Sequence, residues 1–126
     1  MTRHLLGTFT LLAALFVAPS VFAGGAADVD RTIDVKATDF KFTPDQLQVE
    51  SGQTIKIVLH NKGNVAHSFA LKRENGEDQK TDKIQPGKTD SFVFTPSETG
   101  TIEFVCKVAG HAKIGMRGTI EVVDGR

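Results

Sequence analysis

FVCKVAGHAKIGM, residues 104–116, contains the only cysteine of the 126-residue chain, a histidine five positions after it and a methionine five positions after that. The spacing C-x4-H-x4-M groups three side chains that bind soft or borderline metal ions. Five extended residues span up to about 17 Å, so these side chains meet at one ion only if the segment doubles back. Gly110 and Gly115 stand immediately before His111 and Met116, where the absence of a Cβ permits tight or left-handed turns. Ile102 and Phe104 alternate with Thr101 and Glu103 ahead of Cys106, and Ile120 and Val122 alternate beyond Gly118. The segment therefore reads as a loop joining two strands.

The same alternation recurs upstream, punctuated by turn residues. Ile33, Val35 and Ala37 share one phase of Thr32–Ala37; Phe40 and Phe42 lead into the turn Thr43-Pro44-Asp45; Leu47 and Val49 mark a short strand over Gln46–Glu50. After Ser51-Gly52, Ile55, Ile57 and Leu59 share a face of Thr54–His60, and Asn61-Lys62-Gly63-Asn64 ends that run. Val65–Lys72 is the next expected strand, Arg73–Lys83 an ordered polar crossover, and Thr89–Thr95 a strand with Phe92 and Phe94 on one face after the turn at Pro86-Gly87. No stretch of ten or more residues has helical periodicity. The pattern predicts an all-β domain, an antiparallel Greek-key sandwich of seven to eight strands in two packed sheets, with no internal repeat.

Ahead of this domain, residues 1–23 run from Arg3 and His4 through the apolar stretch Leu5–Val17 to Pro19 and Val21-Phe22-Ala23. This is the layout of a signal peptide, with the mature domain expected at 24–126. The apolar run, about 13 residues, is short of the roughly 20 that span a bilayer, so export to the periplasm or beyond, without membrane insertion after cleavage, is the expectation. Without Arg3, 15 − 1 = 14 Lys and Arg stand against 15 Asp and Glu. That balance points away from nucleic acid or an anionic membrane as partner, and a monomer is expected. In an exported protein a lone cysteine makes no intramolecular bridge. It is then an intermolecular partner, a reactive thiol, or a thiolate shielded by a metal.

A metal held by Cys106, His111 and Met116 needs a fourth donor, and the domain offers His60 and His67. His67 is favoured, because the turn Gly63–Ala66 can bring it to the same end of the sandwich, whereas parity puts His60 on the face opposite Ile55, Ile57 and Leu59. One thiolate, two imidazoles and a thioether describe a blue-copper site, His2Cys with a weak axial Met. Structural zinc prefers four Cys or His ligands. Each residue also has an ordinary reading: buried cysteine, methionine as core filler, solvated loop histidine. Their coincidence argues otherwise, since once Met1 leaves with the leader the domain's one Cys and one Met fall in a single 11-residue window around a histidine.

FVCKVAGHAKIGMRGTIEV resembles the C-terminal signature of the cupredoxins, the small blue copper proteins of plastocyanin, auracyanin, azurin and amicyanin type, and FKFTPDQLQVESGQTIKIVLHNKGNVAHSFAL resembles their N-terminal half. The similarity extends from Ile33 to Val123. It implies His67, Cys106 and His111 as strong equatorial copper ligands and Met116 as the axial one. Two positions depart from the common pattern. Ser68 stands where many members carry an asparagine that bridges to the cysteine loop, and Ala109 where many have proline before the Gly-His pair.

The resemblance implies a mononuclear type 1 copper protein that shuttles single electrons and is not itself an enzyme. Copper oxidases need a second copper centre, and after the four ligands the domain has only His60 left. Electrons are expected to pass through the edge of His111, with Val108, Ala109, Ala112 and Ile114 as an apolar docking patch for transient redox partners and Lys62, Lys107, Lys113 and Arg117 available to steer acidic ones. The alternatives are a periplasmic copper-delivery or storage protein using the same ligands, and a structural or adhesive sandwich that binds no copper.

Overall fold

A computed structural model of the chain describes residues 28–73 and 79–126. The expected signal peptide, and residues 74–78 of the expected crossover, lie outside the described residues. Eight strands appear among those described: β1 (Arg31–Thr38), β2 (Lys41–Thr43), β3 (Gln46–Glu50), β4 (Ile55–Asn61), β5 (Ala70–Leu71), β6 (Thr89–Phe94), β7 (Gly100–Val105) and β8 (Arg117–Val123). A single 3-10 turn, Ala112–Ile114, interrupts the β7–β8 connection. No helix among the described residues is long and apolar enough to cross a membrane.

The strands form two four-stranded sheets, β2-β1-β4-β6 and β3-β8-β7-β5. Alternation explains how they pack: Ile33, Val35 and Ala37 from β1 and Ile55, Ile57 and Leu59 from β4 are buried from one sheet, Val49, Phe104, Ile120 and Val122 from the other, and all belong to one core. Phe42, Phe69 and Phe104 form its aromatic centre. Phe69 and Phe104 stack with ring centroids 4.4 Å apart, and Phe42 meets them edge-on at 5.3 and 5.4 Å. Gly118 lies where any Cβ would run into the Phe104 ring and the Asp45 carbonyl, so β8 can approach this aromatic stack only without a side chain there.

Three features differ from the sequence expectation. The sandwich is not purely antiparallel: β1 runs parallel to β4 and β3 parallel to β8. The chain crosses from β2 to β3 in the opposite sheet and returns, which brings β4 alongside β1 in the same direction. The strand expected over Val65–Lys72 shrinks to Ala70–Leu71, because residues 61–66 turn around the Asn61 side chain; His67 makes only an isolated bridge to Ile84. Finally, the polar crossover returns as a partner for that segment. Leu71 N–H donates to Gln79 O, Thr81 N–H to Phe69 O and Ile84 N–H to His67 O, at 2.8–2.9 Å.

The aromatic centre makes a direct test of this packing. Phe104→Ala removes a fully buried ring, and such truncations cost about 3–5 kcal/mol. Urea unfolding of the metal-free protein should show a lowered midpoint with an unchanged slope.

Candidate metal centre

Phase along the chain brings the donors to one end of the sandwich. Cys106 follows β7 in the inward register of Phe104, and His67 precedes β5 in the inward register of Phe69 and Leu71; all five side chains are at most 1 % exposed. β5 and β7 are antiparallel neighbours, so continuing both inward phases past the strand ends converges the two donors. His67 is clipped on both sides, its N–H donating to Ile84 O (3.1 Å) and its carbonyl accepting from Ile84 N–H (2.8 Å).

The loop after Cys106 doubles back as its glycines predict. Gly110 and Gly115 have φ of 82° and 103°, the left-handed region open to glycine. His111 N–H donates to Val108 O and Met116 N–H to His111 O, both at 3.1 Å, and Cys106 N–H closes the loop onto Met116 O, also at 3.1 Å. The Val108–His111 turn therefore forms with Ala109 in place of proline. Arg117 pins it from outside. Its guanidinium donates to Ala112 O at 3.0 and 3.3 Å and pairs with Glu103 at 3.2 Å, so this arginine, read from sequence as a steering charge, has a structural role in the loop.

The ligand-bearing atoms of His67, Cys106 and His111 all lie within 4.8 Å of one another. Cys106 Sγ is 3.6 Å from His111 Nδ1. Donors bound to one ion at about 2.0–2.3 Å in a trigonal arrangement stand roughly 3.8 Å apart, so this spacing suits a shared ion. His67 Nδ1 is buried and has no hydrogen-bond partner. Buried polar atoms are nearly always satisfied, and an unpartnered imidazole nitrogen on a residue clustered with a sulfur and a second imidazole is what a cation would satisfy. Met116 closes the loop with its side chain fully buried.

His60 does not join them. It lies on the outer face of β4, its Nε2–H donating to Asp34 Oδ1 at 2.7 Å and its Nδ1 facing the Thr89 hydroxyl at 3.2 Å.

The sequence does not show what several residues around these donors contribute. Asn61 falls in the inward phase of β4 and is buried. Its amide donates to Val65 O (2.8 Å) and Ile84 O (3.0 Å) and its Oδ1 accepts from Gly63 N–H (2.9 Å), shaping the turn that delivers His67. Ser68 Oγ accepts from Lys107 N–H at 3.0 Å, so the serine supplies the bridge to the cysteine loop that asparagine makes in many cupredoxins. Phe40 stands edge-on to both imidazoles, 4.7 Å from the His111 ring and 6.0 Å from that of His67. Asp39 accepts from His67 Nε2–H at 2.8 Å and from the backbone and side chain of Asn64 at 2.8 and 3.1 Å. Asn64 chiefly, and His67 after it, hold the Asp39 carboxyl below the usual aspartate range. Burial, and next the nearby His67, push His111 below the usual histidine value, favouring the neutral imidazole that can donate a lone pair.

The cupredoxin-like domain family matches residues 8–122, beginning within the apolar stretch read as a leader. The copper-resistant cuproprotein CopI of Rubrivivax gelatinosus is 28 % identical, with 79 % of this chain and 70 % of the relative aligned. CopI of Pseudomonas aeruginosa is 24 % identical over 77 % and 78 %. Among solved structures, auracyanin B superposes with a TM-score of 0.70 at 17 % identity, covering 79 % of this chain and 93 % of its own. A multicopper oxidase from Campylobacter jejuni shares the fold with a TM-score of 0.62 at 14 % identity, over 79 % of this chain but 31 % of the oxidase.

The two polar supports differ in what they hold. Asn61→Ala removes three hydrogen bonds and should cost about 3 kcal/mol, whereas Ser68→Ala removes one and should cost about 1 kcal/mol, at about 1 kcal/mol per bond. Chemical denaturation of the metal-free variants measures both.

Proposed function

The chain belongs to the cupredoxin-like domain family, and from that premise we propose that it is an exported mononuclear type 1 copper protein that passes single electrons between redox partners. The observation that carries this reading is the clustering of His67, Cys106 and His111, whose ligand-bearing atoms lie within 4.8 Å of one another, together with a buried His67 Nδ1 that has no hydrogen-bond partner. These three residues are the equatorial ligands in this proposal and Met116 the axial one. Thiolate and imidazole donors with a weak thioether favour copper over zinc, whose closed sites take four strong ligands. A copper ion held there supplies one-electron cycling between Cu(I) and Cu(II).

The protein's own residues do the rest. Cys106, 1 % exposed, is kept from water and oxidants that would attack a lone exported thiol. The Ile84 clip, the Met116 carbonyl and the Arg117 staple hold the donors in place, so little rearrangement accompanies a change of charge. His111 is half-buried beside Phe40, and Ile114 on the same loop is 62 % exposed. This end suits brief contact with a redox partner, a contact expected to be small, with Lys62 and Lys113 exposed nearby in sequence. Residues 1–23 as an export leader and 24–126 as the delivered domain complete the proposal. A carrier rather than an oxidase is favoured because His60, the remaining histidine of the domain, is engaged by Asp34 and Thr89 on the outer face.

A second reading draws on the relatives named for copper resistance: copper sequestration or delivery through the same ligands. Addition of Cu(II) to the purified protein separates the two. A carrier develops an intense visible thiolate band that ascorbate bleaches and reoxidation restores, and it yields copper slowly to chelators. A protein that takes up one copper without colour, and exchanges it readily, is a delivery or storage protein. Cys106→Ser should abolish the band, while Met116→Leu should retain it with an altered reduction potential, because the axial position tunes the potential.

A further inference from the structure

The turn between β1 and β2 reaches both histidines of the site. Asp39 meets His67 Nε2 and Phe40 meets the His111 ring, although His67 lies 28 positions further along the chain. From this geometry we infer that Asp39 is a positioning residue of the metal centre: from outside the ligand set its carboxylate fixes the tautomer and orientation of His67 and biases the bound ion toward its more highly charged oxidation state. The second half of this inference rests on the copper reading; the first does not.

An ionised carboxylate only accepts hydrogen bonds. At 2.8 Å from Asp39 Oδ1, His67 Nε2 must therefore carry a proton, and in the neutral imidazole Nδ1 is left as a bare lone pair. That is the nitrogen which is buried without a partner. The other carboxylate oxygen accepts from Asn64 N–H and the Asn64 amide, so the orientation of Asp39 is itself set by the turn that delivers His67. Gly63 leaves the necessary room: a Cβ at this position would overlap Asp39 Oδ1 and come within 2.9 Å of His67 Nε2.

The consequence for the ion follows from charge. A carboxylate on the remote nitrogen of a metal-bound imidazole increases the basicity of the ligating nitrogen. The doubly charged ion gains more from this than the singly charged one. Removing the charge should therefore weaken Cu(II) binding more than Cu(I) binding and raise the reduction potential. A residue that merely stabilised the fold would lower stability without moving either the tautomer or the ratio of the two affinities.

The test uses two variants of the full chain. In the metal-free protein at mildly alkaline pH, long-range proton–nitrogen correlation of the His67 ring should report only the Nε2–H tautomer, and Asp39→Ala should give a mixture. In the copper-loaded protein, Asp39→Asn, which keeps an acceptor and loses the charge, should lower Cu(II) affinity by about 10–100-fold and the Cu(II)/Cu(I) affinity ratio by at least about tenfold. The latter corresponds to a rise of about 59 mV for one electron. An unchanged tautomer in Asp39→Ala together with an unchanged ratio in Asp39→Asn overturns the inference, whatever happens to stability. If Asp39→Ala fails to fold, the ratio in Asp39→Asn decides. If the parent protein takes up no copper, the copper reading fails and the tautomer measurement still decides the role of Asp39.

Discussion

A buried imidazole nitrogen without a hydrogen-bond partner is expensive, and the open end of this sandwich is organised to keep one. His67 Nδ1 is left unpaired while the rest of the residue is committed: Nε2 to Asp39, whose carboxylate is held by Asn64, and the backbone to Ile84. Leaving such an atom buried and unsatisfied costs on the order of 1–3 kcal/mol, tolerable only where something else compensates. The compensation on offer is a cation shared with Cys106 Sγ and His111 Nδ1. Stability given up by the metal-free fold is in this way linked to affinity for the ion.

The same logic accounts for the loop. A cysteine, a histidine and a methionine spaced at five-residue intervals can surround one point only if the chain between them forms closed turns, and each turn costs conformational entropy. Gly110 and Gly115 remove the steric part of that cost. The Cys106–Met116 backbone bond and the Arg117 guanidinium on Ala112 O hold the closed form. Arg117 also pairs with Glu103 of β7, which fastens the loop to the sheet that carries Cys106. With Ala109 in place of proline before the Gly-His pair, the closed loop is held from outside in this way.

Legibility in the sequence followed the range of the interactions. β1, β3, β4 and β8 could be read from alternation because their inward residues repeat every second position, and the pairing of Cys106 with His111 because their type and spacing are improbable by chance. Parity separated His60 from Ile55, Ile57 and Leu59 for the same reason, and applied one residue further it places Asn61 inward, a buried polar residue whose purpose only the turn beyond it explains. Asp39 and Phe40 were not legible: they lie on a short turn, and nothing local records that the turn folds over residues 67 and 111. The parallel pairings of β1 with β4 and β3 with β8 were hidden likewise, since alternation fixes which face is buried but not which direction a neighbour runs. The truncated strand before Leu71 shows local pattern yielding to side-chain chemistry, with the Asn61 amide taking the carbonyls of Val65 and Ile84.

Ser68 shows how one departure from the family pattern is accommodated. The bridge between the first histidine's segment and the cysteine loop needs an acceptor for Lys107 N–H, and a hydroxyl at 3.0 Å meets that need as well as an amide oxygen. A shorter side chain must, however, draw the two segments closer to make the bond. The antiparallel pairing of Ala70 with Val105 and Leu71 with Phe104 already brings them together, and the return segment packs Thr81 over the same stretch, its hydroxyl accepting from Phe69 N–H at 3.0 Å. Thus the serine, the short β5 and the pairing of residues 79–84 form one solution. The crossover supplies from outside the backbone partners that a longer strand would have found within the sheet, and His67 is held firmly without being part of a strand.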